Sequence, residues 1–333
     1  MHNSLAFIKF KIINVIPLCN AKNPMKKVFI TRRIPSIARE MLTPYFRVDE
    51  FTGDHPIDKS LLMKVVAKYD AILTMFNDVI DKEVLSKAKY LEVISNYAIG
   101  LNNIDLEQAK HKKISVYNLP DIVTDSTADL TFAILLSLIR QVIPSNQYVL
   151  QGKWKGTDPL LFMGEELQGK TLGIIGFGRT GQAVAQRALG FGLNVIFYNR
   201  SKKESAKGIE QKSFEEVLKH SDYISLHVPL TKDTHKMIAT KDFQMMEKNP
   251  VLINMARGAV VDTDALVEAL KKGWIRSCAL DVTDPEPISN DHPLCSFGNC
   301  LIVPHIGTAT KECRYNMAKK AAENIITHFT RAK

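Results

Sequence analysis

The sequence predicts an α/β protein of two domains, each built on a doubly wound parallel sheet. Short apolar runs alternate with helical patterns along most of the chain, which is typical of parallel strands joined by crossover helices. Pro120 interrupts this alternation after the fourth apolar run. At 333 residues the chain also exceeds a single ordinary core. We therefore expect one domain before the proline and a larger one after it.

The smaller domain is predicted between Lys26 and Pro120. Apolar runs VFIT, AILTM, LEVISNYA and SVYNLP are separated by helical patterns at 36–42, 59–68, 81–88 and 106–111. This domain has no glycine-rich turn, so it is the candidate substrate domain, with a flavodoxin-like sheet. Residues 1–24 combine an apolar run with Lys9 and Lys11. We expect this segment to be an N-terminal extension, disordered or not native.

The larger domain is predicted to contain a sheet of six strands. A helix from Thr124 to about Arg140 is apolar almost all round, so it should be buried. It is interpreted as the link into the larger domain and as a candidate subunit-contact surface, and core packing alone explains it equally well. Predicted strands follow at 171–175, 195–198, 223–228, 251–255, 278–282 and 301–303. The last helix, 311–329, is expected to return to the first domain. The predicted boundaries are 25–122 with 310–333 for the substrate domain and 123–309 for the other.

Residues 170–201 carry the clearest motif of the chain. A strand leads into Gly176-Phe177-Gly178-Arg179-Thr180-Gly181, then a helix and a second strand follow. Gly176 permits a tight turn, Gly178 lets the backbone approach a pyrophosphate, and Gly181 lets helix and strand pack closely. The phosphates would lie at the helix N-terminus. The motif predicts a Rossmann dinucleotide-binding domain, and the alternative is a glycine turn that binds nothing.

The end of the second strand indicates which dinucleotide is bound. A free ribose 2′-hydroxyl calls for an acidic residue there, whereas a 2′-phosphate calls for arginine and hydroxyl groups. This chain has Asn199, Arg200, Ser201 and Lys202, and the first acid is Glu204. The cluster favours NADP(H) over NAD(H), which remains possible. The alternative interpretation is a solvated basic loop.

Composition narrows the class of protein. The formal net charge is +9 and hydrophobic residues make up 45% of the chain. Basic residues are dispersed rather than interleaved with aromatic residues, so we expect no nucleic-acid partner. No apolar run reaches the length of a membrane span, so no membrane partner is expected. Five cysteines without a C-x-x-C pair indicate reduced thiols and a cytoplasmic protein.

Three residues that could perform chemistry follow successive predicted strands: Arg257, Glu286 and His305. Each has a simpler interpretation, namely a surface ion pair, a loop acid and a core histidine. Ligands of doubly wound sheets bind beyond the carboxyl ends of the strands. A histidine can protonate a developing alkoxide, a carboxylate can hold that imidazole, and a guanidinium can bind a carboxylate. Together the three residues are the predicted catalytic set for hydride transfer to a 2-oxo acid.

From about Met25 onward the chain resembles the D-isomer-specific 2-hydroxyacid dehydrogenase family, most closely its glyoxylate/hydroxypyruvate reductase branch. The resemblance rests on several long motifs in order: NYAIGLNNIDLEQAK, PDIVTDSTADLTFAILL, LGIIGFGRTGQAVAQRA, LHVPLT, LINMARGAVVDTDALVEAL, ALDVTDPEP and VPHIGTAT. One departure is IGLNNID where relatives often have GYDNID. Leu101 and Asn102 are therefore expected to alter the edge of the substrate pocket.

The resemblance implies roles for individual residues. Arg257 would bind the substrate carboxylate, Glu286 would partner the histidine, and His305 would be the acid/base. Backbone N–H groups near Ile99 and Gly100 would also hold the carboxylate. The implied cofactor residues are Phe177 to Thr180, Asn199 to Ser201, Met255, Ala256, Asp281, Ile306 and Gly307. Homodimers are implied, and no metal is expected.

The expected reaction is reduction of glyoxylate or hydroxypyruvate to glycolate or D-glycerate by NAD(P)H. Two alternatives remain open at the level of sequence. One is a broader D-2-hydroxyacid dehydrogenase, or a phosphite-oxidising relative with similar motifs. The other is a dinucleotide-gated binding protein, because one branch of the superfamily acts as a transcriptional corepressor.

Overall fold

A computed structural model describes residues 24–331 of the chain. The predicted N-terminal extension, apart from Pro24, lies outside the described residues. The chain divides into two compact units. The smaller unit comprises the residues up to Leu119 and those from Tyr315 onward, and the larger unit is Pro120–Arg314. The division between them therefore falls at Pro120 and again within the last helix.

The smaller unit contains a five-stranded parallel sheet. Its strands are β1 (Lys27–Ile30), β2 (Arg47–Glu50), β3 (Ala71–Thr74), β4 (Val93–Asn96) and β5 (Ser115–Tyr117). Its helices are α1 (Ile37–Leu42), α2 (Lys59–Val66), α3 (Lys82–Ser86) and α4 (Leu106–His111). The strand order is β2-β1-β3-β4-β5, which is the flavodoxin-like order expected for this domain.

Both faces of this sheet are covered. Ile94 of β4 packs with Leu62 and Val66 of α2 in a buried apolar cluster. The next residue, Ser95, points to the other face, where its hydroxyl donates to the carbonyl of Ala321 at 3.0 Å. Ala321 belongs to the last helix, which spans Lys311–Arg331. Small buried residues such as Ala318 allow that helix to lie close to the strands.

The larger unit contains a seven-stranded parallel sheet. Its strands are β6 (Thr171–Ile175), β7 (Asn194–Tyr198), β8 (Ile209–Gln211), β9 (Tyr223–Leu226), β10 (Val251–Asn254), β11 (Ser277–Leu280) and β12 (Cys300–Ile302). Its helices are α5 (Thr124–Ile139), α6 (Val142–Leu150), α7 (Arg179–Gly190), α8 (Phe214–His220), α9 (Thr240–Gln244) and α10 (Thr263–Lys272). Lys311–Arg331 is α11.

The strand order of the larger unit is β12-β11-β10-β9-β6-β7-β8. The order reverses between β6 and β9, so this sheet has the Rossmann arrangement with one further strand at its edge. Successive residues of β6 point to opposite faces. Leu172 and Ile174 lie in one apolar cluster, and Ile175 lies in the other. The sheet is therefore buried on both sides, as the apolar strands require.

Three elements were not predicted from the sequence. β2 and β8 read RVDE and IEQ, and both are edge strands. An edge strand with polar side chains gives no apolar run, so the predicted counts of four and six strands were wrong. α6 was not predicted either, although its Pro144 lies in the first turn of the helix, where proline is tolerated.

No single helix among residues 24–331 is long and apolar enough to cross a membrane. Taken together, α5 and α6 have the length and apolar composition of a membrane-spanning helix, but the pair is bent by 60°.

Candidate active site

Arg257, Glu286 and His305 each follow the carboxyl end of a strand in the larger unit. The strands concerned are β10, β11 and β12, which are consecutive neighbours in the sheet. Because parallel strands present their carboxyl ends at one edge, the three residues belong to the same edge of the sheet.

His305 and Glu286 are in direct contact. The Nδ1 atom of His305 lies 2.6 Å from Oε1 of Glu286, and the two side chains are 21% and 32% exposed. The carboxylate of Glu286 accepts a hydrogen bond from the N–H at Nδ1, so the histidine chemistry is assigned to the other ring nitrogen, Nε2. His305 has a φ of 52°, a left-handed conformation that is uncommon outside glycine and that, among other residues, is adopted mostly by Asn, Asp and His.

Asp281 fixes the backbone on either side of His305. Its carboxylate accepts hydrogen bonds from the N–H groups of Ile306 at 2.6 Å and Gly307 at 2.9 Å. Its own carbonyl accepts from the N–H of His305 at 3.0 Å. Burial raises the pKa of Asp281, while these N–H groups and the charge of His305 oppose that shift. A Cβ at Gly307 would lie 2.9 Å from the carboxylate, so this approach requires glycine.

Arg257 is held by its own strand. The amide of Asn254 donates to the carbonyl of Arg257 and accepts from the N–H of Ala256, both at 3.0 Å. One guanidinium nitrogen, Nη1, donates to the carbonyl of Ala256 at 2.7 Å. Burial lowers the pKa of Arg257, and the charge of Glu286 opposes this effect. The side chain stays cationic at neutral pH, because the ordinary pKa of a guanidinium lies far above neutrality.

The glycine turn after β6 has the geometry of a phosphate cradle. Gly176 has a φ of 97°, and a Cβ there would lie 2.8 Å from the backbone of His227. A Cβ at Gly181 would lie 2.2 Å from the carbonyl oxygen of Gly176. At Gly178, by contrast, a Cβ would meet open space. Gly178 caps α7, whose first N–H groups lack partners within the helix. This geometry fits the pyrophosphate of a dinucleotide.

The loop after β7 contains the predicted cofactor cluster. Asn199 accepts a hydrogen bond from the N–H of Phe177 at 3.2 Å and donates to the carbonyl of Ser201 at 2.9 Å. Its side chain therefore joins the glycine turn to the loop. Arg200 is exposed, and its Nη1 atom lies 3.6 Å from Oδ2 of Asp233, which is exposed as well. An ion pair this exposed contributes little to stability. Lys202 is also exposed.

Several predicted cofactor residues have buried side chains, so only their backbones are available. Phe177 is 3% exposed and stacks on Phe197 at 3.7 Å between ring centroids. Met255 and Ala256 are 8% and 5% exposed.

Arg179, another predicted cofactor residue, differs from these because its side chain is exposed and forms an ion pair with Asp121.

Ile99 and Gly100 lie in the smaller unit, in the loop after β4. The amide of Asn118 donates to the carbonyl of Ile99, and that of Asn96 donates to the carbonyl of Gly100, each at 2.8 Å. Asn103 donates to the carbonyl of Met75 at 3.1 Å. Both carbonyls are therefore fixed, and with them the peptide planes of the loop.

Comparison with known proteins decides the family. The family described as "D-isomer specific 2-hydroxyacid dehydrogenase, NAD binding domain" matches residues 132–307. A glyoxylate reductase of Thermococcus litoralis is 46% identical over 307 residues, covering 90% of this chain and 92% of the relative. The chain belongs to the D-isomer-specific 2-hydroxyacid dehydrogenase family. It is accordingly an oxidoreductase that acts on CH–OH groups and uses a nicotinamide dinucleotide.

Solved structures agree with this assignment. The TT0316 protein of Thermus thermophilus superposes with a TM-score of 0.87 at 41% identity, covering 91% of this chain and 97% of that one. An NADPH-dependent glyoxylate/hydroxypyruvate reductase of Sinorhizobium meliloti, in complex with NADP and malonate, gives a TM-score of 0.82 at 26% identity, with 92% and 94% coverage. The predicted fold class and family are confirmed.

Three amide side chains that fix the backbone near predicted site residues of one unit or the other were not predicted from the sequence. Asn254 and Asn103 bind backbone atoms, and Gln211 does the same at the loop after β7. No residue-type pattern marks them, because a carbonyl partner can belong to any residue. Among residues 24–331, no group of three or more His, Cys, Asp or Glu could hold a metal ion.

His227 is a half-buried histidine whose backbone lies against Gly176 of the glycine turn. Its Nε2 atom lies 2.8 Å from the hydroxyl of Ser225. Its Nδ1 atom is buried and has no hydrogen-bond partner within the described part of the chain. Burial lowers the pKa of His227 to about 4, so the folded protein holds this ring neutral at physiological pH.

We expect His227 to make the larger unit sensitive to acid. The folded pKa lies below the unfolded value of 6.5, so below pH 6.5 the proton binds the unfolded chain preferentially. Stability is present above pH 6.5 and is lost as the pH falls towards 4, by about 2 kcal/mol between pH 7.5 and pH 5.

Urea unfolding followed by tryptophan fluorescence measures this effect, because both tryptophans, Trp154 and Trp274, lie in the larger unit. The variant His227→Gln should lack this part of the pH dependence. Equal losses of stability in the variant and the parent would contradict the expectation.

Proposed function

We propose that this enzyme reduces glyoxylate and hydroxypyruvate to glycolate and D-glycerate, with NADPH as the preferred cofactor. The observation that carries the proposal is the His305–Glu286 pair, which lies at the same sheet edge as Arg257. The names of the glyoxylate reductase relatives support this substrate class. A side-by-side assay of glyoxylate, hydroxypyruvate and pyruvate tests it, and preference for pyruvate would contradict it.

In the proposed mechanism His305 is the acid. The ring donates the proton on Nε2 to the carbonyl oxygen of the substrate as negative charge develops there. Glu286 keeps the ring in one orientation through Nδ1 and stabilises its cationic form. The nicotinamide, when bound, supplies the hydride. Asp281 positions His305 by fixing the backbone beside it.

Arg257 is the proposed anchor of the substrate carboxylate. A guanidinium can form two parallel hydrogen bonds to a carboxylate, which fixes its orientation as well as its position. One of the five N–H donors of Arg257 is already used by Ala256. The N–H groups of Ile99 and Gly100, in the smaller unit, are also proposed to bind a substrate carboxylate. The N–H of Gly100 lies in the peptide plane of the Ile99 carbonyl, which is fixed by Asn118. The N–H of Ile99 lies in the plane of the Ala98 carbonyl, which accepts from the N–H of Leu119 at 2.9 Å.

The proposed cofactor site follows the backbone of the larger unit. The glycine turn and the start of α7 would receive the pyrophosphate, and the loop after β7 would receive the adenosine ribose. Phe177 contributes its backbone, because its side chain is buried. The assigned residues are Gly176, Phe177, Gly178, Arg179, Thr180, Gly181, Asn199, Arg200, Ser201, Lys202, Met255, Ala256, Asp281, Ile306 and Gly307.

The preference for NADPH is tested by Asn199→Asp. A carboxylate at this position would repel a 2′-phosphate, bind a free ribose hydroxyl, and lose the donor that Asn199 gives to Ser201. We expect the ratio of kcat/KM for NADPH to that for NADH to fall by about tenfold or more. Steady-state kinetics with both cofactors measures this ratio. An unchanged ratio would refute the role of this loop in choosing the cofactor.

Two alternatives predict different outcomes in the same assays. A broader D-2-hydroxyacid or phosphite dehydrogenase would turn over other donors or acceptors faster than glyoxylate. A dinucleotide-gated corepressor-like protein would bind the cofactor tightly without useful turnover. The catalytic set alone does not separate these classes, because the corepressor branch keeps similar residues, so turnover of small 2-oxo acids at a useful rate is the observation that favours the enzyme.

We also propose a homodimer that assembles through α6 and the segment after it. Val149, Leu150, Leu160 and Met163 are 49%, 77%, 77% and 66% exposed. In this proposal these side chains form one apolar patch, which is the kind of surface that subunits bury. A cytoplasmic location without nucleic-acid or membrane partners is part of the same proposal, on the grounds of cysteine usage and dispersed charge.

A further inference from the structure

We propose that Gln211, at the end of β8, determines cofactor specificity by holding the loop after β7 in the shape that receives a 2′-phosphate. Gln211 acts as a positioning residue, through Asn199, Ser201 and Lys203, rather than by touching the cofactor. The inference rests on the proposed preference for NADPH.

The side chain of Gln211 makes three hydrogen bonds to the backbone of this loop. Its Nε2 atom donates to the carbonyls of Asn199 and Ser201, both at 3.2 Å. Its Oε1 atom accepts from the N–H of Lys203 at 2.9 Å. The amide of Gln211 therefore restrains every second residue of the five-residue stretch 199–203.

The position of Gln211 is fixed by the sheet. Gln211 is the register partner of Phe197 in β7, and the chain reaches Asn199 two residues beyond Phe197. The N–H of Lys212 also donates to the carbonyl of Phe197 at 2.9 Å. The loop is therefore held at two points, by Asn199 at the glycine turn and by Gln211 at the edge strand.

The chemistry of the contact requires an amide. Two carbonyls need a donor and one N–H needs an acceptor, and among side chains only Gln and Asn present both groups on one terminal amide. Asn is shorter by one methylene. A carboxylate in the same place would put a negative charge next to the carbonyl oxygens of Asn199 and Ser201. That charge would also repel the 2′-phosphate of the cofactor.

This restraint matters for one cofactor and not for the other. Arg200 and Lys202 are long, exposed side chains, which lose conformational freedom when they bind a phosphate. A backbone that is already ordered reduces the cost of assembling them around the 2′-phosphate. A ribose with a free 2′-hydroxyl makes no use of that arrangement, so Gln211 affects NADPH more than NADH.

Binding of 2′,5′-ADP and of 5′-AMP, measured by calorimetry, tests the inference without turnover. These probes differ only in the 2′-phosphate. In Gln211→Met, a near-isosteric change, we expect about tenfold weaker binding of 2′,5′-ADP and little change for 5′-AMP. The KM for NADPH should rise with kcat preserved. Gln211→Glu should weaken 2′,5′-ADP binding further.

Glu210→Gln is the matched control. Glu210 lies on the same strand but pairs with Lys212, so its replacement should leave both probes unaffected. Equal weakening of both probes in the Gln211 variants, or no weakening, would overturn the inference.

If the parent protein itself does not prefer 2′,5′-ADP, the inference and the NADPH preference fail together. In that case reduction of glyoxylate with NADH would still support the rest of the proposed function. Loss of glyoxylate reduction with an intact 2′,5′-ADP preference would instead refute the substrate and leave Gln211 in its role.

Discussion

Replacing His305 with Asn is expected to lower kcat for glyoxylate and hydroxypyruvate by about 10²–10⁴-fold at neutral pH. The variant has no group that can donate a proton to the developing alkoxide. Asn is the sharper choice than Ala because it accepts the left-handed backbone that His305 adopts, at a φ of 52°. Cofactor affinity should change little, because the pyrophosphate and ribose sites are formed by β6, β7 and α7.

Stopped-flow measurement of NADPH oxidation, beside fluorescence titration of NADPH binding, separates turnover from affinity. His235→Asn is the matched control, because His235 is exposed and lies in the same unit. Glu286→Gln should lose activity while shifting the pH profile, since the ring keeps its place but loses its charged partner. Unchanged kcat in His305→Asn would remove the histidine from the mechanism.

Replacing Arg257 with Gln is the second change with a large expected effect. The variant loses the paired, charge-assisted hydrogen bonds to the substrate carboxylate, so kcat/KM should fall by about 10²–10³-fold. Most of the loss should appear in KM for the 2-oxo acid. The backbone of the site should persist, because Asn254 binds the backbone rather than the side chain of residue 257.

Arg257→Lys separates charge from geometry, because lysine keeps the positive charge but cannot form the bidentate pair. We expect it to recover only a small part of the lost kcat/KM. Full recovery would show that charge alone suffices. A parallel loss of NADPH affinity in both variants would contradict the assignment of Arg257 to the substrate.

The sequence predicted the central strands of both sheets because their side chains are apolar on both faces. It predicted the glycine turn because Gly176 and Gly181 occupy positions where a Cβ would meet backbone atoms. The polar edge strands β2 and β8 were missed, because their sequences contain too few apolar residues to form an apolar run. With β8, the position of Gln211 was missed as well.

The candidate site was predictable where chemistry depends on residue type. His305 and Glu286 were predicted as partners, and the structure brings them to 2.6 Å. The supporting amides were not predictable, because Asn254 and Gln211 act on backbone carbonyls whose positions depend on the whole fold. Asn199 is intermediate: its place at the strand end was predicted, but its bond to the N–H of Phe177 was not.

The most direct test of the proposed reaction is the chirality of its product. Purified protein would be incubated with hydroxypyruvate and NADPH, and the glycerate formed would be resolved by chiral chromatography. We expect D-glycerate in an amount equal to the NADPH consumed. L-glycerate, or NADPH consumption that yields no glycerate, would contradict it.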